Sequence, residues 1–224
     1  MKMCLLLIFL DDSIEWTEDP EVTPGLYQGD IAIDSTMHQY LRVGLKWDTF
    51  QNRMWSNRQI PYVVSPLYNA EEQVVIMMAI RTINFLTCVK FVEWNRNETD
   101  FLLIWPIKHP KGCWSYIGKT GGPQIVSLQP PDHKSYKSNF EKQSLKNTSY
   151  SFEYDFNSIM HYGKYYFSKE KGKPTLTPKI PNYHIGQRKQ LSVTDCLKIN
   201  DLYGCLEEKT QRNKYYNRCK TFGL

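Results

Sequence analysis

Histidine and cysteine are the residue types here that could hold a metal or act as nucleophiles, so their spacing sets the first constraint on chemistry. The five histidines are His38, His109, His133, His161 and His184. A hydrolytic zinc needs three protein ligands, an open position for water and a base. Zinc peptidases supply these with H-E-x-x-H, two histidines one helical turn apart and a glutamate beside the first. In this chain no two histidines stand four apart, and none is followed by Glu. The six cysteines, Cys4, Cys88, Cys113, Cys196, Cys205 and Cys219, form no C-x-x-C pair. That spacing argues against a zinc ribbon and a thioredoxin-type redox centre and leaves structural disulfides. The sequons Asn97-Glu98-Thr99 and Asn147-Thr148-Ser149 agree with secretion and mark Asn97 and Asn147 as glycan acceptors.

The elements that must position such groups come from a chain of ordinary domain size. With 224 residues, 41% hydrophobic and 14% aromatic, it can build one core, which excludes a disordered, collagen-like or low-complexity protein. The net charge of +5 comes from 28 basic and 23 acidic residues, and the excess gathers after Cys205 in a basic tail read as a solvated end. No dense basic block points to nucleic acid. The longest apolar run, Met3 to Leu10, is far shorter than the ~20 residues a membrane-crossing helix needs, so no transmembrane segment is expected. That run resembles a secretory signal core, but Asp11 and Asp12 stand where a small-residue cleavage site belongs. It reads either as a degraded or miscalled signal segment over residues 1–10 or as a stray apolar start.

Residues 11–52 hold glycines, acids and little periodicity, the composition of an extended pro-segment or linker with few core contacts. Ile60 to Val64 then reads as a strand. Asn69 with Glu72 makes a capping signature for a helix whose apolar stripe is Val75, Met78, Ala79, Thr82, Ile83 and Leu86, with Met77 and Met78 taken as core. Strands are predicted at Val89 to Trp94, Phe101 to Trp105 and Gln124 to Gln129, and Pro130 to Thr148 is a loop. Ser192 with Asp195 caps a second helix that ends at Gly204, with Cys196 on its apolar side as a small hydrophobe. The arrangement is α+β.

Four stretches resemble the astacin family of secreted zinc metalloendopeptidases. They are Thr87 to Val92; Gly112-Cys113-Trp114-Ser115-Tyr116-Ile117-Gly118 on through Gln129; Tyr154-Asp155-Phe156-Asn157-Ser158-Ile159-Met160-His161-Tyr162-Gly163; and Ile185-Gly186-Gln187-Arg188 with Leu191, Ser192 and Asp195. Upstream, Tyr27-Gln28-Gly29-Asp30 is similar to the family's pro-segment motif, and all five occur in the family's order. The resemblance implies a metzincin-like fold: a twisted, mainly parallel sheet, a covering helix and an irregular C-terminal subdomain. It divides the chain into an incomplete peptidase domain at 53–205 and the basic tail at 206–224.

The same resemblance assigns roles. Met160 matches the Met of the Met-turn beneath the zinc site, Tyr162 the movable tyrosine ligand, and Asp30 the pro-segment acid that blocks the open zinc position. Cys88 should pair with Cys205, while the usual partner of Cys113 falls in sequence this chain lacks, leaving Cys113 a thiol; Cys4 and Cys219 receive no partner. The family's H-E-x-x-H-x-x-G-x-x-H helix belongs between the strand ending near Gln129 and the Met-turn, where only Pro130 to Tyr154 intervenes. The active-site helix is therefore missing as a block. His133 at the junction lacks a partner at ligand spacing and reads as a loop histidine.

Zinc is the family's cofactor, and none is expected to bind this chain; protein or peptide substrates are the family's partners. Two readings follow: an inactive pseudoprotease or substrate-capturing domain, or an exon-skipped or mispredicted form of an active secreted endopeptidase. A binding module unrelated to proteolysis rests only on the basic tail. Losing the helix should also uncover the Val126 to Gln129 strand along a face or an edge.

Overall fold

The computed structural model describes residues 25–37, 52–108, 112–128, 151–168, 170 and 172–223. Five strands form one sheet: β1 (Gln59–Val64), β2 (Lys90–Glu93), β3 (Phe101–Ile104), β4 (Trp114–Ser115) and β5 (Pro123–Ser127). Their order is β2-β1-β3-β5-β4, parallel throughout except that β4 runs antiparallel to β5. Pairing Tyr62 with Leu102 and Leu102 with Gln124 sets the register of the three central strands. The near-continuous apolar runs of β1 and β3 fit strands buried on both faces, as parallel sheets require. The two-residue strand β4 is too short to carry a period-2 signal, and the sequence reading does not contain it.

Helix α1 (Ala70–Leu86) crosses from β1 to β2. Its start is a capping box: Asn69 Oδ1 accepts the Glu72 amide at 2.9 Å, and the Glu72 carboxylate accepts the Asn69 amide at 2.7 Å. The buried face is Ile76, Ala79, Ile80, Ile83 and Leu86. This corrects the expected stripe. Val75 and Thr82 are half-buried and Met78 is 47% exposed, while Met77 packs against the core. Both stripes share Ala79, Ile83 and Leu86, and periodicity alone does not say which flank of that shared line turns inward. The bulkier Ile76 and Ile80 took the space over the sheet, where shape-filling branched side chains gain most.

Helix α2 (Val193–Leu202) is capped by Ser192, whose hydroxyl accepts the Asp195 amide at 2.8 Å, and it stops at Gly204, whose φ of +64° suits glycine. Cys88 and Cys205 are joined, with Cα atoms 5.8 Å apart, tying the start of β2 to the end of α2. Between Ser127 and Val193 the described residues form no helix or strand. That irregular region is fixed in part by Gly163 and Gly186: a Cβ on Gly186 would lie 2.3 Å from the Gly163 Cα, so the two backbones touch where no side chain fits.

Three further expectations are corrected. The tail read as a solvated end contains α3 (Lys209–Phe222), which buries Tyr215 and Cys219 against the rest of the domain. Cys196, read as a lone small hydrophobe, is bonded to Cys219, with Cα atoms 5.6 Å apart; the sequence gives no signal for a pair whose members lie on different helices. The third is the β5 strand. It lies between β3 and β4, and Val126, Ser127 and Leu128 are all buried, with Val126 and Leu128 in the main core beside Ile159 and Leu191. Gln129 lies outside the described residues, as does Pro130 to Thr148.

Candidate functional site

The candidate site is the cleft bounded by the β4 edge, the turn at Ser158 to Tyr162 and the N-terminal segment 25–37. Asp195 builds the turn. Its Oδ1 accepts the Ser158 hydroxyl at 2.6 Å and its Oδ2 accepts the Ile159 amide at 2.8 Å, while Oδ2 also receives the Ser192 amide at 3.2 Å. The Ser192 hydroxyl in turn donates to Asp155 at 2.5 Å. One carboxylate at the first turn of α2 therefore holds the turn and the helix start together, where the helix dipole also favours negative charge. Sequence reading assigns Asp195 only a capping role; its spacing from Ser158 carries no local signal.

This staple fixes the turn that carries Met160 and Tyr162. Met160 packs against the core, an apolar floor beneath the cleft. The Tyr162 hydroxyl donates to the Gln28 carbonyl at 2.9 Å, and its ring lies 5.4 Å from the Tyr166 and Phe167 rings. His161 turns elsewhere. Its Nε2 lies 2.7 Å from the Tyr154 hydroxyl and its Nδ1 2.8 Å from the Tyr162 carbonyl. Arg188 completes the wall, donating to the His161 carbonyl at 2.9 Å and lying 5.2 Å over the Tyr166 ring.

The N-terminal segment fills the other side. Tyr27 and Ile31 exchange backbone bonds of 3.0 Å around a tight turn, with Gln28 at φ +51° and Gly29 at φ +84°. That turn points the Gln28 carbonyl at Tyr162. Ile31 then pairs with Ser115: the Ser115 amide donates to the Asp30 carbonyl and the Ala32 amide to the Ser115 carbonyl, each at 3.0 Å. The segment thus covers the exposed edge of β4, satisfying backbone groups that an edge strand leaves open. Asp30, Ile31, Ala32 and Met37 are all buried, which corrects the expectation of few core contacts. A polar, aperiodic sequence hid four inward-facing positions.

A second anchor, not foreseen from sequence, is Arg53. Its guanidinium pairs with Asp34 at 2.8 Å and donates to the Ile117 carbonyl at 3.3 Å. Asp34 also accepts the Met37 amide at 2.8 Å. Gly118 is required beneath it, since a Cβ there would lie 2.3 Å from the Arg53 carbonyl.

The structure thus brings together Tyr162 and the motif containing Asp30, through Gln28. Asn97 is exposed beyond β2, away from this cleft, and His133 and Asn147 lie outside the described residues. Among the described residues no grouping of three or more His, Cys, Asp or Glu side chains could hold a metal ion. The side chains of the turn do not fit zinc: Tyr162 and both ring nitrogens of His161 are committed to neighbouring protein groups, and zinc needs at least three donors converging near ~2.0–2.3 Å. No helix among the described residues is long and apolar enough to cross a membrane.

A mainly parallel sheet with one antiparallel edge, a covering helix and a Met-containing turn beneath a cleft define the chain as a metzincin-type peptidase scaffold. Comparison with known proteins narrows that class. The family model described as Astacin, a peptidase family, matches residues 48–133 and 130–204, and the chain belongs to that family of zinc metalloproteinases. Zinc metalloproteinase nas-4 of Caenorhabditis elegans is 34% identical over 235 residues, covering 86% of this chain and 73% of the relative. Zinc metalloproteinase nas-7 of the same organism is 30% identical over 195 residues, covering 70% of this chain; the chain spans 50% of that relative's length. A solved structure, the high choriolytic enzyme 1 hatching zinc-protease of Oryzias latipes, matches with a TM-score of 0.57 at 28% identity, covering 79% of this chain and 99% of the other.

The form of these matches bears on the cleft. The family model fits in two pieces that meet at residues 130–133, where the sequence passes from the β5 strand toward the Met-turn without an H-E-x-x-H segment. The nas-4 alignment is also longer than the whole of this 224-residue chain. Part of that relative therefore has no counterpart here.

Proposed function

We propose that this chain is a catalytically inactive astacin-family protein, a pseudoprotease that acts by binding protein or peptide through its surface while its own N-terminal segment stays docked in the cleft. The observation that carries the reading is the ligand set: the chain has no two histidines four residues apart and no His followed by Glu, so neither the metal ligands nor the base of a zinc hydrolase is encoded. The Tyr162 bond to Gln28 supports it, because the one remaining family ligand position is used to hold the segment down. Asp30 and Met160 keep family positions as packing residues. The two disulfides and the exposed Asn97 support a secreted protein made with a pro-segment. Metal analysis after dialysis, with a chelator-controlled casein assay, tests the reading: one equivalent of zinc, or chelator-sensitive turnover, overturns it.

A second reading is favoured by the two-piece family match at 130–133. On that reading the gene encodes an active secreted zinc endopeptidase, and this chain is its exon-skipped or mispredicted form. Transcript reads across Leu128 to Ser149 decide between them, since an inserted H-E-x-x-H block supports the second reading and uniform absence the first.

A further inference from the structure

Helix α3 lies after the last residue matched by the family model, and it carries Lys209, Arg212, Lys214, Arg218 and Lys220 with no Asp or Glu. Its formal charge equals the +5 of the whole chain, so the remainder of the molecule is neutral on balance. Glu207 and Glu208 precede the helix, and Glu208 is occupied at its start by the Thr210 hydroxyl at 2.7 Å. Among the described residues none of the five cations is paired with a carboxylate; Arg212 donates to the Leu206 carbonyl and Arg218 to the Phe85 carbonyl. Lys90 of β2 adds a sixth charge on the same side. Burial lowers its pKa first, and the positive fields of Arg218 and Lys214 lower it further.

The helix is also held rigidly. Tyr215 and Cys219 face inward, and the Cys196–Cys219 bond fixes them to α2. The flanks of the helix carry cations beside rings: the Arg218 guanidinium lies 4.4 Å over Phe85, Lys220 lies 4.7 Å over Tyr216, and Phe222 meets Phe85 edge-on at 5.2 Å. We infer that this face is a docking site for an extended polyanion, specifically a linear sulfated polysaccharide. A 14-residue helix is roughly 20 Å long, and at its 3.6-residue period Lys209 and Lys220 border one side of the exposed Thr210, Asn213 and Asn217 strip while Lys214 and Arg218 border the other, so a chain of repeated sulfates can follow that strip between two rows of charge.

Two features favour that occupant. A helix that lies in a bilayer presents a broad apolar face outward, whereas α3 turns Tyr215 and Cys219 inward, and the exposed Phe85 and Tyr216 rings are each covered by a cation. Disulfides persist in oxidising compartments, where sulfated polysaccharides are the abundant polyanions and nucleic acid is not.

The test uses the full chain and heparin as probe, with affinity measured by calorimetry across a salt series. The variant Lys209→Gln/Lys214→Gln/Lys220→Gln removes three exposed charges from α3, and Lys108→Gln/Lys179→Gln/Lys189→Gln removes three exposed charges elsewhere. Non-reducing peptide mapping confirms that Cys196–Cys219 is intact in both. The α3 variant should bind roughly tenfold more weakly, its slope of log K against log salt falling by about two to three, while the other variant stays within roughly twofold of the parent. Equal losses in the two variants, no measurable heparin binding, or tighter binding to phosphatidylserine vesicles or duplex DNA than to heparin would each overturn the inference.

Discussion

The Tyr162 hydroxyl donates to the Gln28 carbonyl across 134 residues of chain, and that bond ties the N-terminal segment to the Met160 turn. Gln28 sits at φ +51°, a conformation that costs a non-glycine residue on the order of 1 kcal/mol or more, so the turn must be held by its surroundings. Three supports hold it: the Tyr27–Ile31 backbone pair, the Ile31–Ser115 bridge and the Tyr162 phenol. A fourth acts downstream, where Arg53 grips Asp34. Edge pairing and a carbonyl contact together need no metal to keep the segment in place.

The phenol's share is measurable. Tyr162→Phe keeps the ring among Tyr166 and Phe167 and removes the bond to Gln28. The expected loss is about 0.5–1.5 kcal/mol, or a melting temperature roughly 1–6 °C lower for a domain of this size. Thermal unfolding followed by circular dichroism reads it. A change below about half a degree, well under that range, would mean that the bond contributes nothing to docking.

The Asp195 carboxylate carries more. It accepts hydrogen bonds from Ser158, Ile159 and Ser192, all buried, and Asp195→Asn replaces one acceptor oxygen with an amide that can only donate. With the amide nitrogen at the Oδ2 position the Ile159 and Ser192 amides face a donor, and with it at Oδ1 the Ser158 hydroxyl must turn to accept and loses its own acceptor. The substitution should cost roughly 2–4 kcal/mol and loosen the Met160 turn, since charged hydrogen bonds contribute ~1.5–3 kcal/mol and a buried orphan adds ~1–3. Denaturant titration gives the loss, and amide exchange at Ile159 should speed up in parallel. Unchanged exchange would remove Asp195 as the turn's support.

What the sequence made legible follows from range. Capping boxes at Asn69 and Ser192 are three-residue signals, and both helices begin where those signals stand. Parallel strands announce themselves by apolar runs, which placed β1, β2, β3 and β5 within a residue or two. The inward face of α1 differs from its expected stripe because Ile76 and Val75 are equally apolar and only the sheet beneath chooses between them. The Cys196–Cys219 bond, the Arg53–Asp34 pair and the burial of Ile31 and Ala32 depend on partners far along the chain, which local pattern does not contain. For the cleft, resemblance located Tyr162 and the Gln28-containing motif, but their direct contact is a property of the fold.

Alkaline pH should destabilise the protein. Burial raises the pKa of Tyr62, Tyr68 and Tyr203 above the ordinary value near 10. Above pH ~10 the unfolded chain therefore releases phenolic protons that the folded chain keeps, so the unfolded state binds fewer protons and stability falls as pH rises. Lys90 acts in the opposite direction: its pKa is lowered from 10.5 mainly by burial, so its contribution rises with pH up to that value. Three tyrosines outweigh one lysine. Phenolate absorbance should show late-titrating tyrosines whose ionisation coincides with unfolding, and a single transition at pH ~10 with the fold intact would contradict the burial argument.

Reduction should release the C-terminal helix before it dismantles the sheet. Cys88–Cys205 closes 117 residues of chain and Cys196–Cys219 closes 23. In the loop-entropy account these restrict the unfolded chain by about 4.9 and about 3.4 kcal/mol respectively, so the longer link carries more of the stability. Replacing Cys219 by Ser should therefore be tolerated better than replacing Cys205. It leaves Asn200, which donates to the Leu86 and Cys196 carbonyls and accepts the Cys88 amide, to hold α2 against α1. Cys113 is wholly buried, so it should resist alkylation in the native protein and react once the chain unfolds. Non-reducing peptide mapping and differential alkylation test these points together. A Cys88–Cys113 peptide, or rapid native labelling of Cys113, would show a differently wired domain, and equal losses from Cys219→Ser and Cys205→Ser would break the ordering by loop length.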